Sequence, residues 1–251
     1  MMVSLVNPAQ IRSFAKGMAV LNKTDEIDAV LLARYGCLAQ PKAWTPPAKP
    51  LIELQALLAR LDDVEGDLRR EQNRYEQACV RGCSTVIKHS FVTSIRALKA
   101  QCKRLQQAID EHFAAHEDLQ VGLERLQSIP AVGPKTAMRM LVLLQSRPFE
   151  TARQVAAFLA LVPIERQSGR SVRGRPRLSK AGNPRLRAAL YMAAVVATKV
   201  NPDIRAQQQR LLARGKAKMS TLGAAMRKLV HICFGVLKSQ SGYCFPVTHQ
   251  T

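Results

Sequence analysis

The sequence predicts a mainly α-helical fold, and three observations carry that expectation. Aromatic residues make up only 5% of the chain, too few for a large β-sandwich core, whereas the helix formers Leu, Ala, Arg and Gln dominate. Apolar residues step by three and four through Leu54, Leu57, Leu61, Val64 and Leu68, the spacing of a coiled-coil seam. After a short run at Val3–Val6 no convincing strand follows for a long way, and a lone strand is not stable without neighbours.

Taken in order, Val3-Ser-Leu-Val6 reads as a strand stopped by Asn7-Pro8. Residues 9–36 read as two helices, the second opening near Thr24 with Asp25 as its cap. Pro41–Pro50 holds four prolines in ten residues and reads as a linker. Residues 51–126 then form a helical hairpin that turns at Arg81-Gly82-Cys83-Ser84. Its second arm carries ten seam positions in register: Ile95, Leu98, Cys102, Leu105, Ile109, His112, His116, Leu119, Leu123 and Leu126. Such a hairpin packs on itself and pairs with another subunit. Residues 127–251 read as short helices joined by Gly, Pro and basic loops. Asn183 before Pro184 opens a helix to about Val200, Ser220 caps a last helix to about Lys238, and 239–251 read as frayed. The domain plan is therefore 1–40, 41–50, 51–126 and 127–251.

Charge narrows the partner. The net charge is +20, and from Arg166 to Thr251 there are 17 Lys and Arg against one acid, Asp203. Such a surface repels itself until a polyanion neutralises it, and nucleic acid fits better than a membrane surface. The six cysteines are scattered, with no CxxC pair, and read as free thiols in a reducing compartment. The N-terminus lacks the pattern of a secretory signal, and Ala188–Ala197 is apolar but too short to span a bilayer. The expected location is intracellular.

Four features could carry chemistry. Asp25 and Asp28 lie three apart, on one face of a helix start; they either favour the helix dipole or ligate Mg²⁺. Ser128-Ile-Pro-Ala-Val-Gly-Pro-Lys-Thr136 resembles a helix-hairpin-helix turn, with Gly133 letting backbone approach a phosphate and Lys135 adding charge. His112 and His116, four apart, could hold zinc, but both fall on the apolar seam and read as structural. The segment from Arg166 to Arg187 has eight Lys or Arg in 22 residues and no acid. Arg166, Arg170, Arg173, Arg175, Arg177, Lys180, Arg185 and Arg187 would neutralise phosphate around Ser168, Ser171 and Ser179. Guanidinium groups beside a hydroxyl suit either clamping of a backbone or phosphoryl transfer, and the residues alone do not choose among the three serines.

Several segments together resemble one family. Val6-Asn-Pro8, Phe14-Ala-Lys16, Lys23-Thr-Asp25 with Asp28-Ala29, Ile129-Pro130 with Gly133, Ala157–Pro163, Ser168-Gly169, Val172-Arg-Gly174, Ser179–Asn183 and Leu186-Arg187 fall in its order. The chain is similar to insertion-sequence transposases that join a RuvC-like acidic domain to a C-terminal serine transposase domain and are guided by a bridge RNA. The resemblance implies that the N-terminal part is a remnant of an α/β RuvC/RNase H-like domain. It further implies a covalent serine–DNA intermediate at Ser168, with Mg²⁺ held on four acids of which Asp25 and Asp28 are the third and fourth. Ser179 and Lys180 would line the site. The partners implied are DNA, a structured guide RNA and a second copy of the chain bound through the coiled coil. In the family the first Asp and the Glu precede the Val-Asn-Pro segment, where this chain starts. The expectation is a metal domain cut short, with little strand transfer by this chain alone. The alternative is a non-catalytic nucleic-acid-binding remnant that dimerises with an active relative.

Overall fold

A computed structural model of the chain describes residues 3–164, 167–168, 172–173, 177–179 and 182–244. The chain divides into two units, Met1–Pro47 and Ala48–Thr251. Among the described residues there are ten helices and four strands of two residues each, so the fold is mainly helical as expected.

The first unit holds α1 (Pro8–Gly17) and α2 (Asp25–Ala39). Asn7 caps α1 by accepting from the Ala9 N–H at 2.9 Å, ahead of a first-turn proline. The cap of α2 is Thr24, whose Oγ1 accepts from the Ile27 N–H at 3.3 Å. Asp25 is thus the first helical residue, a correction to its expected role as cap; both aspartates face the positive end of the helix dipole. Phe14 and Tyr35 meet edge to face at 5.4 Å, and Leu31 is buried. Val3–Val6 is not a strand. It finds partners in the proline-rich stretch instead: the Trp44 N–H donates to Val3 O at 2.7 Å, and the Ser4 side-chain hydroxyl donates to Pro41 O at 3.0 Å.

The second unit begins with the expected hairpin, α3 (Lys49–Val80) and α4 (Thr85–Ala115). Gly82, at φ +77°, supplies the left-handed residue of the turn, and Ser84 caps α4. The seam is dry only near its base, at Leu51, Leu54, Leu61, Val64, Ile109 and Phe113. Farther out Leu68, Phe91, Ile95 and Leu98 are half-buried. The second arm does not run unbroken to Leu126. It breaks at His116, in extended conformation, and α5 (Glu117–Gln127) follows. Two histidines make the break: His112 Nε2 bonds Pro50 O at 2.8 Å, and His116 Nδ1 bonds the His112 carbonyl at 2.8 Å, which covers the end of α4. Both are structural, as the seam implied.

The core of this unit is built by α5, α6 (Pro134–Gln145), α7 (Ala152–Phe158), α8 (Pro184–Val200), α9 (Pro202–Ala213) and α10 (Lys218–Ser239). Leu126, Met140, Leu141, Leu190, Leu229 and Val230 are fully buried at its centre. The end of α8 near Val200 matches expectation. However, α10 starts at Lys218, two residues before the expected Ser220, and has no side-chain cap. Residues 239–244 are docked rather than frayed. The Tyr243 N–H donates to Ser128 Oγ at 2.8 Å, and its hydroxyl donates to Asp203 Oδ2 at 2.7 Å. Burial first, and the bond to Asp203 second, push the Tyr243 hydroxyl up to about 12.

Asn201 joins these parts. It is fully buried, its Oδ1 accepts from the Ile204 N–H at 3.2 Å to cap α9, and it also receives the Tyr243 hydroxyl at 3.4 Å. Asn201→Ala is expected to cost about 1–2 kcal/mol, the range for a lost N-cap. Urea unfolding followed by circular dichroism checks it, and an unchanged midpoint would contradict the capping role.

Candidate nucleic-acid interface

Between α7 and α8 the described residues of the basic segment form a ribbon of two short antiparallel pairs. Strand β1 (Pro163–Ile164) pairs antiparallel with β4 (Arg177–Leu178), and β2 (Gln167–Ser168) pairs antiparallel with β3 (Val172–Arg173). Ser168 lies directly opposite Val172. Arg173 is on β3, Arg177 is exposed on β4, and Ser179 is half-buried just beyond it. Arg166, Arg170, Ser171, Arg175 and Lys180 lie outside the described residues.

The ribbon leaves the core through a tight contact. A Cβ on Gly182 would stand 2.6 Å from both the carbonyl carbon and the oxygen of Leu159, at the end of α7. Arg187 Nη1 donates to Gly182 O at 3.3 Å. Asn183 then caps α8 by accepting from the Arg185 and Leu186 N–H groups at 3.0 and 3.2 Å. Gly182, Asn183 and Arg187 together fix where the basic segment rejoins the fold.

The helix-hairpin-helix-like turn joins α5 to α6. Gly133, the residue before α6, has φ −76°, which any residue adopts; the left-handed position is Ala131, at φ +81°. Open space surrounds the position of a Cβ on Gly133, so its backbone is accessible.

Two of the expected phosphate contacts are engaged within the protein. Lys135 Nζ pairs with Glu65 at 2.5 Å; Arg185 Nη2 pairs with Asp63 at 2.9 Å, and its Nη1 lies 3.9 Å from Asp62. The Asp63 hydrogen bond holds the Arg185 guanidinium above its ordinary value. Arg139 of α6 pairs with Asp62 as well. One short acidic stretch of α3 therefore gathers cations from α6 and α8, and its signal in the sequence was Asp62-Asp63-Val64-Glu65 beside the seam. The Asp62–Arg139 pair is the most enclosed, with side chains 17% and 22% exposed. Asp62→Asn strips a half-buried guanidinium of its counter-charge and is expected to cost about 2 kcal/mol. Thermal unfolding checks this; stability equal to the parent would show the pair to be solvated and weak.

Asp25 and Asp28 belong to the first unit. Asp28 lines a cavity of about 480 Å³ together with Arg12, Lys16 and Lys23. Among the described residues no group of three or more His, Cys, Asp or Glu could hold a metal ion.

The comparisons with known proteins decide the family. A family model described as "Transposase IS116/IS110/IS902 family" matches residues 123–209, and a model of the DEDD IS110 type, described as "Transposase", matches residues 1–82. The pilin gene-inverting protein of Moraxella lacunata is 32% identical over 238 residues, covering 94% of this chain and 72% of that protein. The chain belongs to the IS116/IS110/IS902 transposase family. The pilin gene-inverting protein of Moraxella bovis matches to the same extent. An insertion element IS110 protein of Streptomyces coelicolor is 29% identical over 219 residues, covering 85% of this chain and 52% of that protein.

On this transposase the first model spans α5 from Leu123, the turn at Gly133, the ribbon, α8 and most of α9. The DEDD model spans the first unit and α3. Transposases bind DNA, cut it and rejoin it, and the acid-free basic segment from Arg166 to Arg187 falls within the family segment. No helix among the described residues is long and apolar enough to cross a membrane.

Proposed function

We propose that this transposase cuts and joins DNA through a covalent serine–DNA intermediate at Ser168, with its sites chosen by a structured guide RNA. One observation carries the reading: Ser168 sits on a paired ribbon inside a 22-residue segment with eight Lys or Arg and no acid, within the family segment. Ser168 Oγ attacks the scissile phosphorus; the O–P bond to serine forms as the bond to the leaving sugar oxygen breaks. The serine proton is lost to solvent, and the sugar oxygen takes up a proton to leave as a hydroxyl. Arg173, Arg177 and the arginines next to Ser168 in sequence neutralise charge on the phosphoryl oxygens. The same exchange run backwards on a second strand end joins DNA.

DEDD-type transposase domains generally use divalent metal ions. Asp25 and Asp28 would contribute two carboxylates toward Mg²⁺, a hard cation that takes oxygen ligands. Two carboxylates do not close a site, and no step above passes through a metal. The surplus of cations from Arg166 onward supports a structured RNA beside the DNA. The half-covered outer seam of the hairpin, at Leu68, Phe91, Ile95 and Leu98, supports pairing with a second copy.

The test is a trapping assay with the guide-RNA complex and an end-labelled DNA site. A labelled adduct that survives denaturation and vanishes in Ser168→Ala supports the reading. Salt-sensitive binding by both proteins with no adduct would replace it with a non-catalytic nucleic-acid-binding role.

A further inference from the structure

A second basic cluster, which no sequence motif singled out, lies at the root of the ribbon. A cavity of about 640 Å³ is lined by Arg153 of α7, by Pro163 of β1, by Leu178 of β4, by Gln207 of α9 and by α10. From α10 come Arg227, Lys228 and His231, and no carboxylate is among the lining residues. Arg153, Arg227 and Lys228 form no ion pair with a described residue, unlike Lys135, Arg139 and Arg185. Three positive charges thus line one cavity with no carboxylate among its lining residues, an arrangement that favours an anion.

Two orphaned polar atoms point the same way. His231 and Gln207 both line this cavity, and their Nε2 and Oε1 atoms are buried with no hydrogen-bond partner among the described residues. Buried polar atoms are nearly always satisfied, and an exception needs a ligand to explain it. A phosphate oxygen accepts from the imidazole N–H, and the Gln207 amide can turn either its oxygen or its nitrogen toward a sugar or phosphate. Burial first, then the charges of Arg227, Lys228 and Arg153, depress the basicity of His231, which reflects the same positive field. Leu161, Pro163 and Leu178 supply an apolar side, and Gly223 leaves room, since a Cβ there would already touch Leu178 at 3.4 Å. The volume suits a drug-sized or nucleotide-sized group.

We propose that this cavity is a phosphodiester subsite that seats one nucleotide of a bound nucleic-acid strand. Its phosphate lies against Arg153, Arg227 and Lys228, its sugar against Leu161 and Leu178. Pro163 and Leu178 are the first rung of the ribbon that carries Ser168, so a strand anchored here is held where the ribbon leaves the core. The inference rests on the nucleic-acid reading above but not on the serine chemistry.

The experiment therefore uses the whole 251-residue chain carrying Ser168→Ala, so that no adduct forms. Binding of a single-stranded ten-nucleotide thymidine oligomer is followed by anisotropy at several salt concentrations, and the His231 ring is followed by NMR, assigned by its loss in His231→Asn. The oligomer is expected to shift the His231 resonance as it saturates. Arg153→Gln with Arg227→Gln is expected to weaken binding roughly tenfold and to flatten the salt dependence, as loss of phosphate contacts does. Lys103→Gln with Arg104→Gln on the exposed face of α4 removes equal charge and is expected to have a much smaller effect. The proposal is overturned if the oligomer binds while the His231 resonance stays still, or if the α4 pair weakens binding as much as the cavity pair. It is also overturned if inorganic phosphate saturates the site at concentrations where the oligomer does not compete. Should the cavity variant fail to fold, the NMR titration of the Ser168→Ala chain decides alone.

Discussion

Ser168→Ala is expected to lower single-turnover adduct formation by at least about 10⁴-fold, because it removes the atom that forms the new bond to phosphorus. Binding of DNA should change by less than about twofold, since a neutral hydroxyl adds little to an interface dominated by phosphate contacts. That split distinguishes a nucleophile from a residue that merely clamps the strand. Ser179, half-buried just past β4, and the exposed Arg177 provide the comparison. Ser179→Ala is expected to slow adduct formation by about tenfold at most. Arg177→Gln should weaken both binding and rate, as loss of a charge at the phosphoryl oxygens requires. If Ser179→Ala abolishes the adduct while Ser168→Ala does not, the assignment moves to Ser179.

Gly182→Ala is expected to destabilise the second unit by about 2–4 kcal/mol. Overpacking against rigid neighbours costs on this order. The new methyl group would meet backbone, the carbonyl carbon and oxygen of Leu159 at 2.6 Å and the nitrogen of Ala160 at 3.1 Å, and backbone cannot swing aside as a side chain can. For a unit of this size the loss corresponds to a fall in Tm of roughly 5–10 °C. The displaced chain carries the exit of the ribbon, so adduct formation should fall along with stability. Gly133→Ala is the matched control. Its Cβ would stand in open space at an ordinary φ of −76°, so its stability should be unchanged or slightly raised. A loss of DNA affinity at Gly133→Ala with stability intact would place a phosphate at the start of α6. Calorimetry on the two variants separates these outcomes; equal Tm for Gly182→Ala and the parent would mean that the Leu159 contact is not tight in solution.

Local signals carried much of the fold into the sequence. Asn183-Pro184 announces α8, and Asn201-Pro202 announces α9 by the same chemistry, yet α9 has no readable apolar period because Ile204 is its one buried residue. The seam from Ile95 to Leu126 kept its register across the break at His116, since α4 and α5 both turn their apolar faces to the core; periodicity is blind to a kink that preserves the buried face. The ribbon was hidden for the opposite reason: its strands are two residues long, with no alternation to detect.

The site was legible in composition and illegible in pairing. Surplus charge and the family-ordered motifs located the basic segment, and the family model over residues 123–209 covers the same stretch. Which cations stay free was beyond reach, because Lys135 meets Glu65 across 70 positions and Arg185 meets Asp63 across 122. The cavity of Arg153, Arg227 and Lys228 was equally hidden, since α7 and α10 lie far apart in the chain and only packing brings them to one cavity.

The most direct measurement is mass spectrometry of the trapped protein–DNA adduct after nuclease and protease digestion. The account predicts a nucleotide remnant on the peptide Gln167-Ser-Gly-Arg170, carried by Ser168. A remnant on any other residue, or DNA cleavage with no covalent remnant at all, would contradict it.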